Sequence, residues 1–251
     1  MAGQIKGSSP NNFSGIWSAR DQQVFQTQGT WPVLVPVVSD SLVLLLDAAN
    51  SESYSGTGTT WSDISGTGNH GTLQSGVSYV PNGALSYFLF DDTSNGYVSL
   101  PLLSTSITNI TMLALVNMPA SDGGAIFYNG SSAGYGFGIG ASSFDNAGNN
   151  AIGLFQVRRW IDTNVDWGTG WMLVGMSLNA TSGVSFIKNN SIIATNTGTA
   201  PLTPVSYAAL GTDTGGTRAF NGNIAWAGFY SKELSQQEIE QNYNHLAPRF
   251  A

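Results

Sequence analysis

From Ser41 onward, short apolar runs alternate with clusters of Gly, Ser, Asn and Asp, a rhythm that predicts strands separated by turns. Leu42–Asp47 reads as a buried strand ending on an acid. Ala84–Phe90 and Tyr97–Leu100 follow, and then Ile110–Asn117, which is apolar at consecutive positions and so is expected at the centre of a sheet. Ala125–Tyr128, Tyr135–Ile139, Ile152–Arg158 and Trp171–Leu178 continue the series, and Ile224–Tyr230 is its last member. Val184–Lys188 and Ser191–Ala194 flank Asn189-Asn190, a pair suited to a type I′ hairpin because Asn tolerates positive φ. Many short strands at this spacing predict an all-β, two-sheet sandwich or barrel.

One helix stands out at the C-terminal end. Ser235 followed by Glu238 forms a capping box, and Leu234 with Ile239 forms a hydrophobic staple. Ile239, Tyr243 and Leu246 then fall on one helical face, so the helix is expected to clasp the sandwich. Residues 1–38 differ from everything after them. Trp31-Pro32-Val33-Leu34-Val35-Pro36 must run extended, since proline excludes the α region from the residue before it. This stretch holds Phe13, Ile16, Trp17, Val24, Phe25 and Trp31 yet is too short to bury them alone. It reads as an arm (1–38) preceding one domain (39–251). Trp17, Phe25 and Trp31 are its expected assembly anchors, and the other reading is an arm folded back on its own sandwich.

Composition narrows the function classes. Charged residues are only 9% of the chain, against about 25% in an average globular protein. A surface built from Ser, Thr, Asn, Gln and Gly lacks charge repulsion, which suits a subunit packed against copies of itself or a neutral secreted domain. The net charge of −7, with no run of Lys or Arg, argues against nucleic acid. With no cysteine, disulfides and thiol chemistry are out. The opening Met1-Ala2-Gly3-Gln4-Ile5-Lys6 shows no secretory signal, and Val33–Leu46 is too short and too broken by Pro36 and Asp40 to span a bilayer.

Two blocks carry a family resemblance. The first runs Leu42-Val43-Leu44-Leu45-Leu46-Asp47-Ala48-Ala49-Asn50 through Ser53-Tyr54-Ser55-Gly56 and Trp61-Ser62-Asp63-Ile64-Ser65-Gly66 to Gly68-Asn69-His70-Gly71-Thr72-Leu73, with Phe90-Asp91 and Tyr97-Val98 beyond. The second is Phe220-Asn221-Gly222-Asn223-Ile224, then Phe229-Tyr230-Ser231-Lys232-Glu233-Leu234-Ser235, then Glu238-Ile239 and Asn242-Tyr243. Together they resemble the laminin-G-like jelly rolls of the concanavalin A-like lectin and glucanase superfamily. The resemblance implies two packed antiparallel sheets over roughly residues 41–247 and, in many relatives, glycan or protein binding. It does not fix the function, because this fold hosts many. The arm is similar to N-terminal segments of tailed-bacteriophage virion proteins, through Gly15-Ile16-Trp17-Ser18 and Gly29-Thr30-Trp31-Pro32.

Catalysis is not expected. Glycosidases of this superfamily place two glutamates and an aspartate alternately on one strand, and glycoside cleavage needs such a pair of carboxyl groups. The only glutamates here are Glu52, Glu233, Glu238 and Glu240, and no Glu-x-Asp-x-Glu pattern occurs. His70 lies in a Gly-Asn-His-Gly turn, where a solvated loop role suffices. Asp162, Asn164 and Asp166 alternate like the start of a calcium loop, but Trp167 and Leu173 stand where that loop needs glycine and glutamate. An Asx-rich turn between strands is the other reading. In calcium-binding relatives an aspartate often follows the Gly-x-Ile of the last strand, and Ala225 occupies that position here.

Glycan binding calls for aromatic rings to pack on sugar C–H faces and for Asn or Asp to hold hydroxyls. Trp160 and Trp167 flank a polar loop, beside Asp145, Asn146, Asn149 and Asn150, and are the expected platform. Tyr135 lies near the same loops, whereas Phe137 and Trp171 read as core. Asp47, Asp63 and Asp91 read as turn caps. The expectation is a bacteriophage virion structural protein of the capsid-decoration or head-fibre type. It would be made in the host cytoplasm, joined to other virion proteins by its arm, and display a lectin-like jelly roll. The alternative is a carbohydrate-binding adhesin that recognises host surface glycan. No cofactor other than calcium is expected.

Overall fold

The computed structural model describes residues 35–106, 108–118, 124–131, 135–142, 151–156, 159–166, 168–179, 183–196, 203–214 and 218–250. The chain divides after Pro36 into two units, and only the second, from Val37 onward, is described at length. Val38 is buried within the second unit and donates its N–H to the Asn242 carboxamide oxygen at 2.9 Å.

Among the described residues the sandwich contains sixteen strands. They are β1 (Leu42–Asp47), β2 (Thr60–Trp61), β3 (Gly71–Leu73), β4 (Val77–Val80), β5 (Tyr87–Phe90), β6 (Val98–Leu100), β7 (Ile110–Met118) and β8 (Gly124–Ser131). Then come β9 (Tyr135–Ser142), β10 (Ala151–Gln156), β11 (Arg159–Asp166), β12 (Gly170–Asn179), β13 (Gly183–Lys188), β14 (Ser191–Asn196), β15 (Ala208–Leu210) and β16 (Gly222–Tyr230). A helix, α1 (Gln236–Leu246), follows. Sheet A has the order β14-β13-β12-β7-β16-β5-β4, with β1 also pairing with β16, and sheet B has the order β11-β10-β9-β8-β15-β6-β3-β2. Every pairing is antiparallel. The expected all-β, two-sheet jelly roll with a C-terminal helix is what forms.

The apolar run of β7 explains its place. Sitting between β12 and β16, it is buried at all but one of its nine positions. One face, with Met112, Ala114 and Val116, meets Phe127, Phe137 and Ile139 of sheet B in the inter-sheet core. The other face, Leu113 and Leu115, joins Leu45, Leu173, Ile187, Trp226 and Tyr230 in a second core outside sheet A. The clasp closes that second core with Leu234, Ile239 and Leu246. Its capping box is formed, with the Ser235 hydroxyl accepting from the Glu238 N–H and Glu238 accepting from the Ser235 N–H.

Two local expectations need correction. In the hairpin between β13 and β14, only Asn189 of the asparagine pair has positive φ, 55°. A type I′ turn requires it at both positions, so a different turn closes the loop. Trp171, read as core, is half-buried on the outer face of sheet A, where its ring meets Tyr87 at 5.4 Å.

Candidate functional site on the outer face of sheet B

Glycines and other small residues form the floor of sheet B's outer face. One cross-strand row pairs Trp160 with Phe155, Phe155 with Gly138, Gly138 with Tyr128, Tyr128 with Ala209 and Ala209 with Ser99. It continues through Thr72 to Thr60. The neighbouring level pairs Gly153 with Gly140 and Gly140 with Ala125. Side chains alternate between faces along a strand, so Phe127 and Leu210 turn into the core while Tyr128 and Ala209 lie outside it.

Over this floor stand three phenols and a buried acid. Beside β8, the Gly211 N–H donates to the Ile126 carbonyl and the Arg218 carbonyl accepts from the Ala125 N–H. These bonds hold Asp213, buried, and Arg218, half-buried, near Tyr128. Burial pushes the Tyr128 phenol up, Asp213 adds to the rise, and Arg218 draws it partway back. Tyr207, at the foot of β15, is held by a hydroxyl bond to the Thr214 carbonyl at 3.0 Å, and Thr214 donates to the Gly130 carbonyl at 2.7 Å. Burial raises the Tyr207 phenol as well, with Tyr97 and then Asp213 contributing. Tyr97 and Tyr207 are half-buried and form the accessible rim, while Tyr128 and Asp213 form the base. These phenols pair hydrogen-bonding hydroxyls with apolar rings. Such a face can pack on a ligand's C–H surface and bond its hydroxyls.

The expected site residues divide by location. Trp160 sits in the row just described, near the start of strand β11, and residues 161–166 after it are strand and not the polar loop expected there. Asp162, Asn164 and Asp166 belong to the same strand, so the turn expected there is absent. A strand lays alternate side chains along its length, whereas a calcium loop wraps its ligands around a centre. Trp167, Asp145, Asn146, Asn149, Asn150, Trp17, Phe25 and Trp31 lie outside the described residues. Tyr135 is the most open large hydrophobic side chain among those described, 51% exposed, and Phe137 is core as expected.

The aspartates read as turn caps act as caps. Asp91 accepts from the Thr93 N–H, and Asp47 accepts from the Ala49 N–H while also forming a two-bond ion pair with Arg249 at 2.8 Å. Asp63 accepts from the N–H groups of Leu45, Ser65 and Asn69 and from the hydroxyls of Ser65 and Thr67. Burial works against its charge, but these bonds more than offset it and hold the carboxyl below its ordinary range. His70 is exposed and accepts the Asp63 N–H at Nδ1.

Tyr97, Tyr128, Tyr207, Asp213 and Arg218 were not singled out from the sequence. Only the alternation of Phe127-Tyr128 against its neighbours hints that Tyr128 faces outward.

The architecture is a β-sandwich jelly roll of the concanavalin A-like type. No protein-family description matches the sequence, and no curated protein is similar to it at a significant level. Solved structures match the fold. Domain 4 of AbnA, a GH43 extracellular arabinanase from Geobacillus stearothermophilus, in complex with arabinotriose, superposes with a TM-score of 0.62 at 16% identity, over 81% of this chain and 98% of that one. The binding domain of Botulinum neurotoxin DC in complex with SialylT gives 0.61 at 16% identity, over 83% of this chain and 52% of that one. Trypanosoma rangeli sialidase in complex with the inhibitor DANA gives 0.60 at 14% identity, over 88% of this chain but 37% of the enzyme.

Proposed function

We propose that the sandwich is a lectin-like, non-catalytic carbohydrate-binding module whose ligand lies across the outer face of sheet B. The observation that carries this reading is the arrangement of Tyr97, Tyr128 and Tyr207 around a floor of Ala209, Ser99 and Gly138, with one buried carboxylate, Asp213, at its base. Phenol rings and hydroxyls over small residues suit a sugar, which presents both C–H faces and hydroxyls. A single carboxylate at the site favours binding over cleavage, which uses two. Two of the similar structures are complexes with arabinotriose and with SialylT, which supports the same ligand class.

Display on a bacteriophage particle is the biological setting we propose, with residues 1–38 as the attachment and the sandwich facing host glycan. It rests on the resemblance of the arm alone. A glycan array followed by calorimetry on the full chain tests the binding reading. The chain should bind a defined set of glycans without releasing reducing ends, and Tyr207→Ala should weaken binding about tenfold. Absence of any glycan ligand, or an unchanged Kd in Tyr207→Ala, overturns it.

A further inference from the structure

The outer face of sheet A carries a second group of residues with unused bonding capacity, beyond the edge of the clasped core. A register row pairs Trp171 of β12 with Asn117 of β7, Asn117 with Asn223 of β16, Asn223 with Leu89 of β5, and Leu89 with Ser78 of β4. The adjacent inward positions, Val116, Ile224 and Phe88, all lie in the inter-sheet core, which places this row on the outside. Asn117 and Asn223 are half-buried, and among the described residues neither carboxamide has a hydrogen-bond partner. Leu89, beside them, is 40% exposed.

An aromatic pair borders the two amides. The Trp171 and Tyr87 rings meet edge to face at 5.4 Å and 63°, although β7 and β16 separate their strands. The rings therefore reach toward each other over the two strands that bear the asparagines. None of Trp171, Tyr87, Asn117, Asn223, Leu89 and Ser78 is charged.

We propose that this patch is a second ligand site, for a neutral, hydroxyl-rich ligand of the size of a short oligosaccharide. Each carboxamide offers a paired donor and acceptor, the pattern that matches vicinal hydroxyls. The ring edges and Leu89 provide the apolar contact for a sugar's C–H face. The absence of charge selects against acidic or phosphorylated ligands, which require Arg or Lys partners. The site shares its ligand class with the sheet B reading but none of its residues, so either can fail alone.

The test is side-chain amide NMR on the isotopically labelled full chain, titrated separately with maltotriose, cellotriose and arabinotriose. At least one should shift the Asn117 and Asn223 carboxamide signals and the Trp171 indole N–H together, to saturation. The Asn117→Ala/Asn223→Ala double variant should weaken the titration followed at the Trp171 indole about tenfold, and Asn223→Ala alone by less. Tyr207→Ala, which alters only sheet B, should leave it unchanged. The proposal is overturned if none of the three sugars moves these signals, if the double variant titrates like the parent chain, or if Tyr207→Ala abolishes the shifts.

Discussion

The two outer faces of the sandwich are built from different materials. Outside sheet A, Leu45, Leu113, Leu115, Leu173, Trp226 and Tyr230 form a large apolar surface, sealed by Leu234, Ile239 and Leu246 and stitched by Asn242 to both Val38 and Tyr230. Outside sheet B, the corresponding floor is glycine, alanine and serine, with phenols standing over it. Large buried side chains contribute about 1.5–3 kcal/mol each, and small ones little. The clasped part of the sheet A face is therefore committed to holding the domain together. On the sheet B face the large side chains that remain accessible are those of the rim, Tyr97 and Tyr207, and the reading proposed above has the ligand meet these.

That contrast can be broken, starting where the effect is largest. Deleting residues 235–251 strips the cover from sheet A and should cost several kcal/mol, comparable with a domain's whole stability. Thermal melting of the truncated chain at the parental temperature would show that the clasp does not dock. Arg249→Met should cost about 3 kcal/mol, because it strands the buried Asp47 carboxylate without its partner. Adding Asp47→Asn should return part of that loss, read from a double-mutant cycle in urea.

Asp63→Asn comes next, at about 2 kcal/mol, since several backbone and hydroxyl donors lose a charged acceptor. The folded carboxyl lies below its ordinary range, so its stabilisation is fully present above the unfolded value, about 4, and is lost as the pH falls through the folded one. A urea series across acidic pH should therefore be flatter in Asp63→Asn. An equally steep acid limb would assign it to other groups. Ser235→Ala removes one cap bond and should cost about 1 kcal/mol. Tyr207→Phe, on the opposite face, loses only the bond to the Thr214 carbonyl and should cost about 0.5–1 kcal/mol. A cost as large as that of Asp63→Asn would mean that sheet B's outer face also holds the fold together.

What could be read in advance follows the same division. The clasp is legible because its signals are local: a cap, a box partner three residues on, a staple, and a helical stripe. Strands β1 and β7 are legible because consecutive apolar residues admit one reading. Strands β2, β3 and β15 are not, since two or three residues such as Thr60-Trp61 carry no period and form only because neighbours offer an edge. β11 is not legible as a strand because its Asp and Asn positions mimic the start of a calcium loop or an Asx-rich turn, and pairing with β10 decides otherwise. The site was hidden for a related reason. Tyr97, Tyr128 and the Tyr207–Asp213 segment come from three separate stretches and meet only through sheet register.

Gly138 carries a consequence for how such a face can evolve. A Cβ there would lie 2.5 Å from the Phe127 carbonyl oxygen and 2.8 Å from the Tyr128 Cα, contacts that no side-chain rotation relieves. Every amino acid but glycine is thus barred while β8 and β9 keep their spacing. At this point the floor cannot be raised one mutation at a time. Descendants of this domain should change their preferences through the rim, at positions such as 97, 207 and 218, and a comparison of homologues should find variation there around a fixed glycine.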